Sequence, residues 1–176
     1  MKKLILLAGL FLCLSAPAFA QDTPMAEVFG GYSFVRSGDT FNGGVTFNGW
    51  NGALEGNLNK WLGFVGDFSG HYKNISGTSL RLHTFTIGPQ VSFRGIKKAT
   101  PYAHALFGGA RSSVSGSPTA QTVFAMNFGG GLDWNWSDLV AFRLIQADAF
   151  VTRNAGFTTR DARLSFGIVL RLGRRR

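Results

Sequence analysis

Arg160-Asp-Ala-Arg-Leu-Ser-Phe-Gly-Ile-Val-Leu-Arg-Leu172, near the end of the chain, alternates with a period of two. Leu164, Phe166, Ile168, Leu170 and Leu172 share one face of an extended strand, while Arg163, Ser165, Gly167, Val169 and Arg171 share the other. One face is hydrocarbon and the other carries two guanidiniums. In a soluble β-protein the hydrocarbon points inward. In a transmembrane barrel the same strand turns its hydrocarbon to lipid and its arginines to a polar lumen. The strand fits both arrangements, and the rest of the chain decides between them.

The stretch resembles the C-terminal recognition strand of Gram-negative outer-membrane β-barrels, with Ser165, Gly167, Leu170 and Leu172 at the matching positions. The resemblance implies the barrel-assembly machinery as a partner during biogenesis. That family usually ends on an aromatic residue, whereas this chain continues through Gly173 to Arg174, Arg175 and Arg176.

At 176 residues the chain holds one domain. Its 24 glycines and 17 phenylalanines with only 15% charged residues suit a tightly curved barrel with a greasy exterior. Residues 1–20 open with Lys2 and Lys3, run apolar from Leu4 to Leu14 and end Ala18-Phe19-Ala20, the pattern of a cleaved signal peptide. Its apolar core is too short for a spanning helix, which takes about 20 residues. Cys13 lies inside it, so cleavage after Ala20 leaves residues 21–176 as a barrel domain without cysteine. The mature chain is still basic. In an exported protein that balance selects anionic lipid headgroups or lipopolysaccharide rather than nucleic acid, and a charge that merely aids solubility explains it equally well.

Segments of about ten alternating residues recur between turn-forming residues. They cover Glu27–Arg36, Gly49–Leu58, Leu62–Tyr72, Leu80–Phe93, Thr100–Val114, Gln121–Trp134, Leu139–Val151 and the quoted stretch. Loops are expected at Ser37–Asn48, Lys73–Ser79, Ser115–Ala120 and Arg153–Thr159, with the connections after the second and sixth strands the shortest. Pro89 predicts a bulge or a strand end, because it removes a ladder donor. Arg143 and the pair Gln146 and Asp148 fall out of phase, which predicts a bulge near Leu144 or Ile145. The faces of Tyr102, His104, Phe107 and Arg111 are ambiguous. The pattern as a whole is all-β: an eight-stranded antiparallel up-and-down transmembrane barrel.

Lipid rather than water belongs outside. An inward apolar face would load the barrel with Phe64, Phe68, Phe85, Phe93, Phe124, Phe128, Phe142 and Phe166, and an eight-stranded barrel has little interior room. With the faces reversed, small and polar side chains fill the lumen, and closure satisfies every backbone group within the bilayer. Glu55, Asp67, Asp133 and Asp148 then share the lumen with Arg143, Arg163 and Arg171, near charge balance, with Asn51, Asn57, Thr86, Gln90 and Asn127 available as hydrogen-bonding partners. Trp61, Tyr102, Trp134 and Trp136 are expected in one aromatic girdle and Trp50, Tyr72 and Tyr32 in the other. Lys73, Arg81, Arg111 and Arg153, together with Arg36 and Arg160, gather near one set of strand ends as candidate contacts for lipopolysaccharide phosphates.

Export signal, eight strands, phenylalanine-rich faces and the segments Glu27-Val-Phe-Gly-Gly-Tyr-Ser-Phe34 and Arg143-Leu-Ile-Gln-Ala-Asp148 make the mature chain similar to the outer-membrane protein A/opacity-type β-barrel family. The family implies the fold, and its members include structural, adhesive and complement-evading proteins.

Catalytic signals are lacking. His71, His83 and His104 do not have zinc-site spacing, and a polar contact between His71 and His83 across strands three and four is the plainer reading. The positions two beyond each histidine hold Lys73, Phe85 and Leu106, so none supplies the serine of a lipid A deacylase-like His-x-Ser pair. Gly129-Gly130-Gly131 precedes no helix and reads as strand curvature. The expectation is a non-enzymatic, cofactor-free structural or surface-interaction barrel in the outer membrane. A narrow channel, or an exported soluble ligand-binding barrel, is the alternative.

Overall fold

The computed structural model describes residues 23–37, 45–75, 77–116, 120–154 and 157–174, so the expected signal peptide and most of the loop after the first strand lie outside the described residues. Eight strands follow in order: β1 (Ala26–Ser37), β2 (Val45–Asn57), β3 (Leu62–Ile75), β4 (Thr78–Ser92), β5 (Ala99–Val114), β6 (Gln121–Asn135), β7 (Val140–Asn154) and β8 (Phe157–Leu172). Each pairs antiparallel with its neighbour, and β8 returns to β1 from Ala26↔Leu172 to Arg36↔Ala162, closing the barrel. Closure leaves no unpaired sheet edge, the condition a sheet must meet in lipid.

The alternation sorts the side chains as expected. Phe64, Phe68, Phe85, Phe124, Phe128 and Phe166 point outward, with Phe68 53% exposed. From Leu62 to Tyr72, β3 takes about ten steps of about 3.3 Å, so a tilt near 40° carries its outward face roughly 25 Å, the height of an apolar membrane band. The interior is less uniformly polar than expected: Phe29, Val35, Leu106 and Phe150 are buried there as well.

Several local expectations change. Lys73–Ser79 is not a loop, because β3 runs to Ile75 and β4 begins at Thr78, with Gly77 at φ 84° in the turn between. Arg153–Thr159 likewise belongs mostly to β7 and β8, and residues 45–48 belong to β2. Ladder hydrogen bonds need no apolar face, so the polar strand ends stay paired beyond the lipid-facing stretch. The connections at the end bearing the termini are therefore not the shortest ones. Pro89 neither ends β4 nor bulges it: Ile87↔Phe107 and Gln90↔His104 keep one register, and Pro89 pairs with Phe64 on the other side.

The bulge in β7 falls where the phase break puts it. Pairing with β6 shifts between Leu132 and Asp133, and pairing with β8 shifts between Arg143 and Gln146. Leu144 and Ile145 both point outward, so Arg143 and Gln146 can both point inward.

Candidate functional site

The lumen is the place where this sequence concentrates chemistry. Arg163 on β8 lies at its centre, 1% exposed. Its Nη1 donates to Asp67 Oδ1 at 2.7 Å, and its Nε and Nη2 donate to Asp148 Oδ2 at 2.8 and 2.7 Å. Asn51 Nδ2 donates to the other oxygen of Asp67 at 2.9 Å, while His104 Nε2 meets Asp148 Oδ1 at 2.8 Å. One guanidinium thus ties β8 to β3 and β7 across the barrel. Charge-assisted bonds of this kind fix geometry as well as charge.

Nearer the chain termini, Arg143 forms the next layer. Its Nε and Nη2 donate to Asp133 at 2.8 and 3.1 Å, and Nη1 donates to Gln146 Oε1 at 2.8 Å. The guanidinium carbon lies 4.4 Å from the centroid of the Phe29 ring and 4.3 Å from that of Tyr102, within cation–π range. Tyr102, expected in the girdle, is instead 6% exposed inside the lumen, and its hydroxyl donates to Gln146 Oε1 at 3.0 Å. Phe29, in phase with Glu27 and Ser33 on β1, also faces the lumen and packs against the Arg143 guanidinium.

A third layer lies at the rim that bears the termini. Arg94 Nη2 approaches Glu27 Oε1 to 2.7 Å and donates to Asn57 Oδ1 at 3.0 Å, and Gln90 Nε2 donates to Glu55 Oε2 at 2.7 Å. Arg171 donates to Asn135 Oδ1 at 2.8 Å and stands 3.8 Å from Glu27. Glu27, Arg94, His104 and Gln146 were missed by the sequence reading as members of this network. Parity would have found two of them, since Glu27 is in phase with Ser33, and Arg94 continues the inward series Gln90 and Ser92 beyond the end of β4.

Toward the opposite rim the lumen changes character. His71 Nε2 meets Ser33 Oγ at 3.0 Å, and Ser165 Oγ donates to Ser33 Oγ at 2.8 Å. His83 faces outward and meets the Tyr72 hydroxyl at 3.3 Å, so the two histidines lie on opposite faces and make no contact with each other across β3 and β4. Thr86 and Asn127 bond one another at 3.2 Å rather than to the charges. Beyond them Phe150 packs on Ala110 and Ala125, forming an apolar cup.

Glycine makes the network possible. A Cβ on Gly129 would stand 2.1 Å from Asp148 Oδ1 and 2.3 Å from the carbonyl oxygen of Ala147. Gly131 likewise leaves room for the Tyr102 hydroxyl, which would stand 2.6 Å from a Cβ there, so the two inward glycines of the run clear space for inward groups on the neighbouring strands.

Outside, Trp61, Trp134 and Trp136 are exposed near the terminal rim, where Trp134 and Trp136 meet edge to face at a centroid distance of 5.5 Å. Trp50, Tyr72 and Tyr32 are exposed toward the other end. Above that second belt Arg81, Arg111, Arg153 and Arg160 are exposed on outward-facing positions, and Arg36 is half-buried on one. They form two arcs. Arg111 lies directly opposite His83 on β4, with Arg81 one outward position farther along that strand. Arg153 and Arg160 lie on β7 and β8, and Arg36 on β1 pairs with Ala162. Lys73 differs: it takes a lumen-facing position at the rim and lines a small recess with Tyr72 and Arg81.

Nothing among curated proteins matches the chain, and no family model does. Solved structures do match. Neisserial surface protein A (NspA) aligns with a TM-score of 0.68 at 17% identity, over 87% of this chain and 100% of that one. OprG from Pseudomonas aeruginosa aligns with a TM-score of 0.60 at 9% identity, over 88% of this chain and 98% of that one. Ail from Yersinia pestis, in complex with the heparin analogue sucrose octasulfate, aligns with a TM-score of 0.57 at 17% identity, over 82% of this chain and 97% of that one. At such identities the likeness is one of fold, and the fold is that of the small eight-stranded outer-membrane barrels.

Proposed function

We propose that the chain is a non-enzymatic barrel of the bacterial outer membrane, exported through the inner membrane by a cleaved signal peptide and inserted by the barrel-assembly machinery. Its role is structural or one of surface interaction. The terminal rim faces the periplasm and the opposite rim faces the exterior.

The observation that carries this reading is the Arg163 layer, a buried guanidinium held on two sides by carboxylates and backed by the Arg143 layer. A lumen closed in this way suits a scaffold. Beside Arg143 and Glu55 the interior opens to a cavity of only 10 Å³, about the room of one water. No observation favours the channel. Purified barrel in planar bilayers is expected to give no steady unit currents, and their appearance would overturn the closed-lumen reading.

The outward arginines supply the surface chemistry. Arg81, Arg111 and Arg153, at headgroup height with Lys73 at the rim, suit the phosphates of lipopolysaccharide, since guanidinium binds phosphate in two-pronged fashion. Replacing Arg81, Arg111 and Arg153 together with Gln is expected to weaken lipopolysaccharide binding, and unchanged binding would remove these contacts from the proposal. Ail holds a sulfated ligand in its complex, and the placement of these arginines suits an anion of that kind in this chain.

A further inference from the structure

At the terminal rim the barrel mouth opens into a cavity of 390 Å³ that the closed lumen does not need. Arg94, Lys97, Arg171 and Arg174 line it with Asn135 and Trp136, and among the described residues Asp138 is the only carboxylate in its walls. We infer that this cavity is a binding site for a small soluble molecule carrying two oxyanion groups, of the phosphate or carboxylate type.

Three observations converge on that ligand. The first is charge. Asp138 is taken by Arg174 at 2.5 Å, and beneath the floor Glu27 is shared between Arg94 at 2.7 Å and Arg171 at 3.8 Å. Glu55 stands 3.8 Å from Arg94 and is already engaged by Gln90. The neighbouring turns add Lys60 and Lys98, both exposed, so among the described residues cations outnumber carboxylates at the mouth.

The second is pre-organisation. Arg94 and Arg171, each 8% exposed, form the floor, Arg94 held through Nη2 by Glu27 and Asn57 and Arg171 held through Nη2 by Asn135. A guanidinium fixed in this way loses little freedom on receiving an oxyanion from the cavity it lines. The third is layering. Buried guanidiniums form the floor and exposed Lys97 the lip, so cations lie at two depths, matching two anionic groups on one molecule. Trp136 offers an aromatic wall beside them.

The site does not depend on which side of the membrane it faces, and its test is separate from those of conductance and lipopolysaccharide binding. Full-length mature barrel in detergent is titrated calorimetrically with inorganic pyrophosphate and, in parallel, with succinate. Saturable one-to-one binding of either supports the site, and the tighter probe identifies the phosphate or the carboxylate type. Lys97→Glu, an exposed turn substitution that spares the network, is expected to weaken binding at least about tenfold. Asp138→Asn, which removes negative charge from the lining, is expected to strengthen it by about threefold. Arg81→Gln with Arg111→Gln, at the other rim, leaves it unchanged. If neither probe binds at millimolar concentration, or if binding follows Arg81 and Arg111 rather than Lys97, the inference fails.

Discussion

Arg163 shows how much a single side chain decides in this protein. Among the described residues it is the one guanidinium bonded to both Asp67 and Asp148, and both carboxylates are shut off from water. Replacing it with Leu removes the charge but leaves two buried acids, a change that costs about 3–5 kcal/mol when one partner of a buried pair is lost. Urea-induced unfolding in lipid vesicles is expected to show that loss, and adding Asp67→Asn with Asp148→Asn is expected to restore much of it. Tyr102 gives a milder case. Tyr102→Phe keeps the stack on Arg143 and loses one hydrogen bond, about 1 kcal/mol, whereas Tyr102→Ala also removes the stack and costs about 3–5 kcal/mol. Were Tyr102 a girdle residue facing headgroups, the two substitutions would differ far less. Its position was not legible in the sequence, because β5 places aromatic rings on both faces, Tyr102 inside and Phe107 outside, and a rim tyrosine serves equally well at an interface.

Strands carry the part of the fold that the sequence announces most clearly. Alternation in β2, β6 and β8 reports inside and outside unambiguously, and the bulge in β7 is visible as a break in phase between Arg143 and Gln146. Spin labels at Leu144 and Ile145 are both expected to sense lipid-soluble oxygen, which simple alternation forbids for consecutive residues. A shielded label at either site would contradict the bulge. Gly129→Ala tests the packing between β6 and β7: the added methyl meets both the Asp148 carboxylate and the Ala147 carbonyl, and the backbone cannot yield cheaply. A loss of about 1–3 kcal/mol is expected in the same vesicle assay. Strand ends were harder to read. At Lys73–Ser79 and Arg153–Thr159 the residues are polar and turn-forming, yet ladder pairing continues through most of both, since nothing in side-chain polarity tells where a hydrogen-bonded edge stops.

On the scale of the whole molecule, the polar network and the apolar belt are two results of one constraint. Inside a bilayer the strands gain little from burying hydrocarbon against one another, so specificity falls to backbone closure and to the interior bonds. The acids and arginines expected in the lumen could be picked out by parity, and Asp148–Arg163 and Asp133–Arg143 are neighbours along one ladder, but the bond from Arg163 to Asp67 could not be read, because it crosses the barrel between strands that do not pair. Heat-modifiable gel migration is expected for the mature chain, with the compact band persisting in sample buffer until boiling. Arg163→Leu is expected to lower the temperature at which that band disappears, and an unchanged transition would contradict a stabilising role for the network.

Asp67 and Asp148 belong to strands made before β8, and they have no guanidinium between them until the last ribbon is in place. An unfinished barrel therefore holds stranded negative charge as well as open edges, and both defects vanish in the same step. Completion is rewarded at the seam where the molecule is joined, so a chain that stalls before its final strand has neither a sealed wall nor a neutral middle and is left conspicuous to whatever removes failed intermediates.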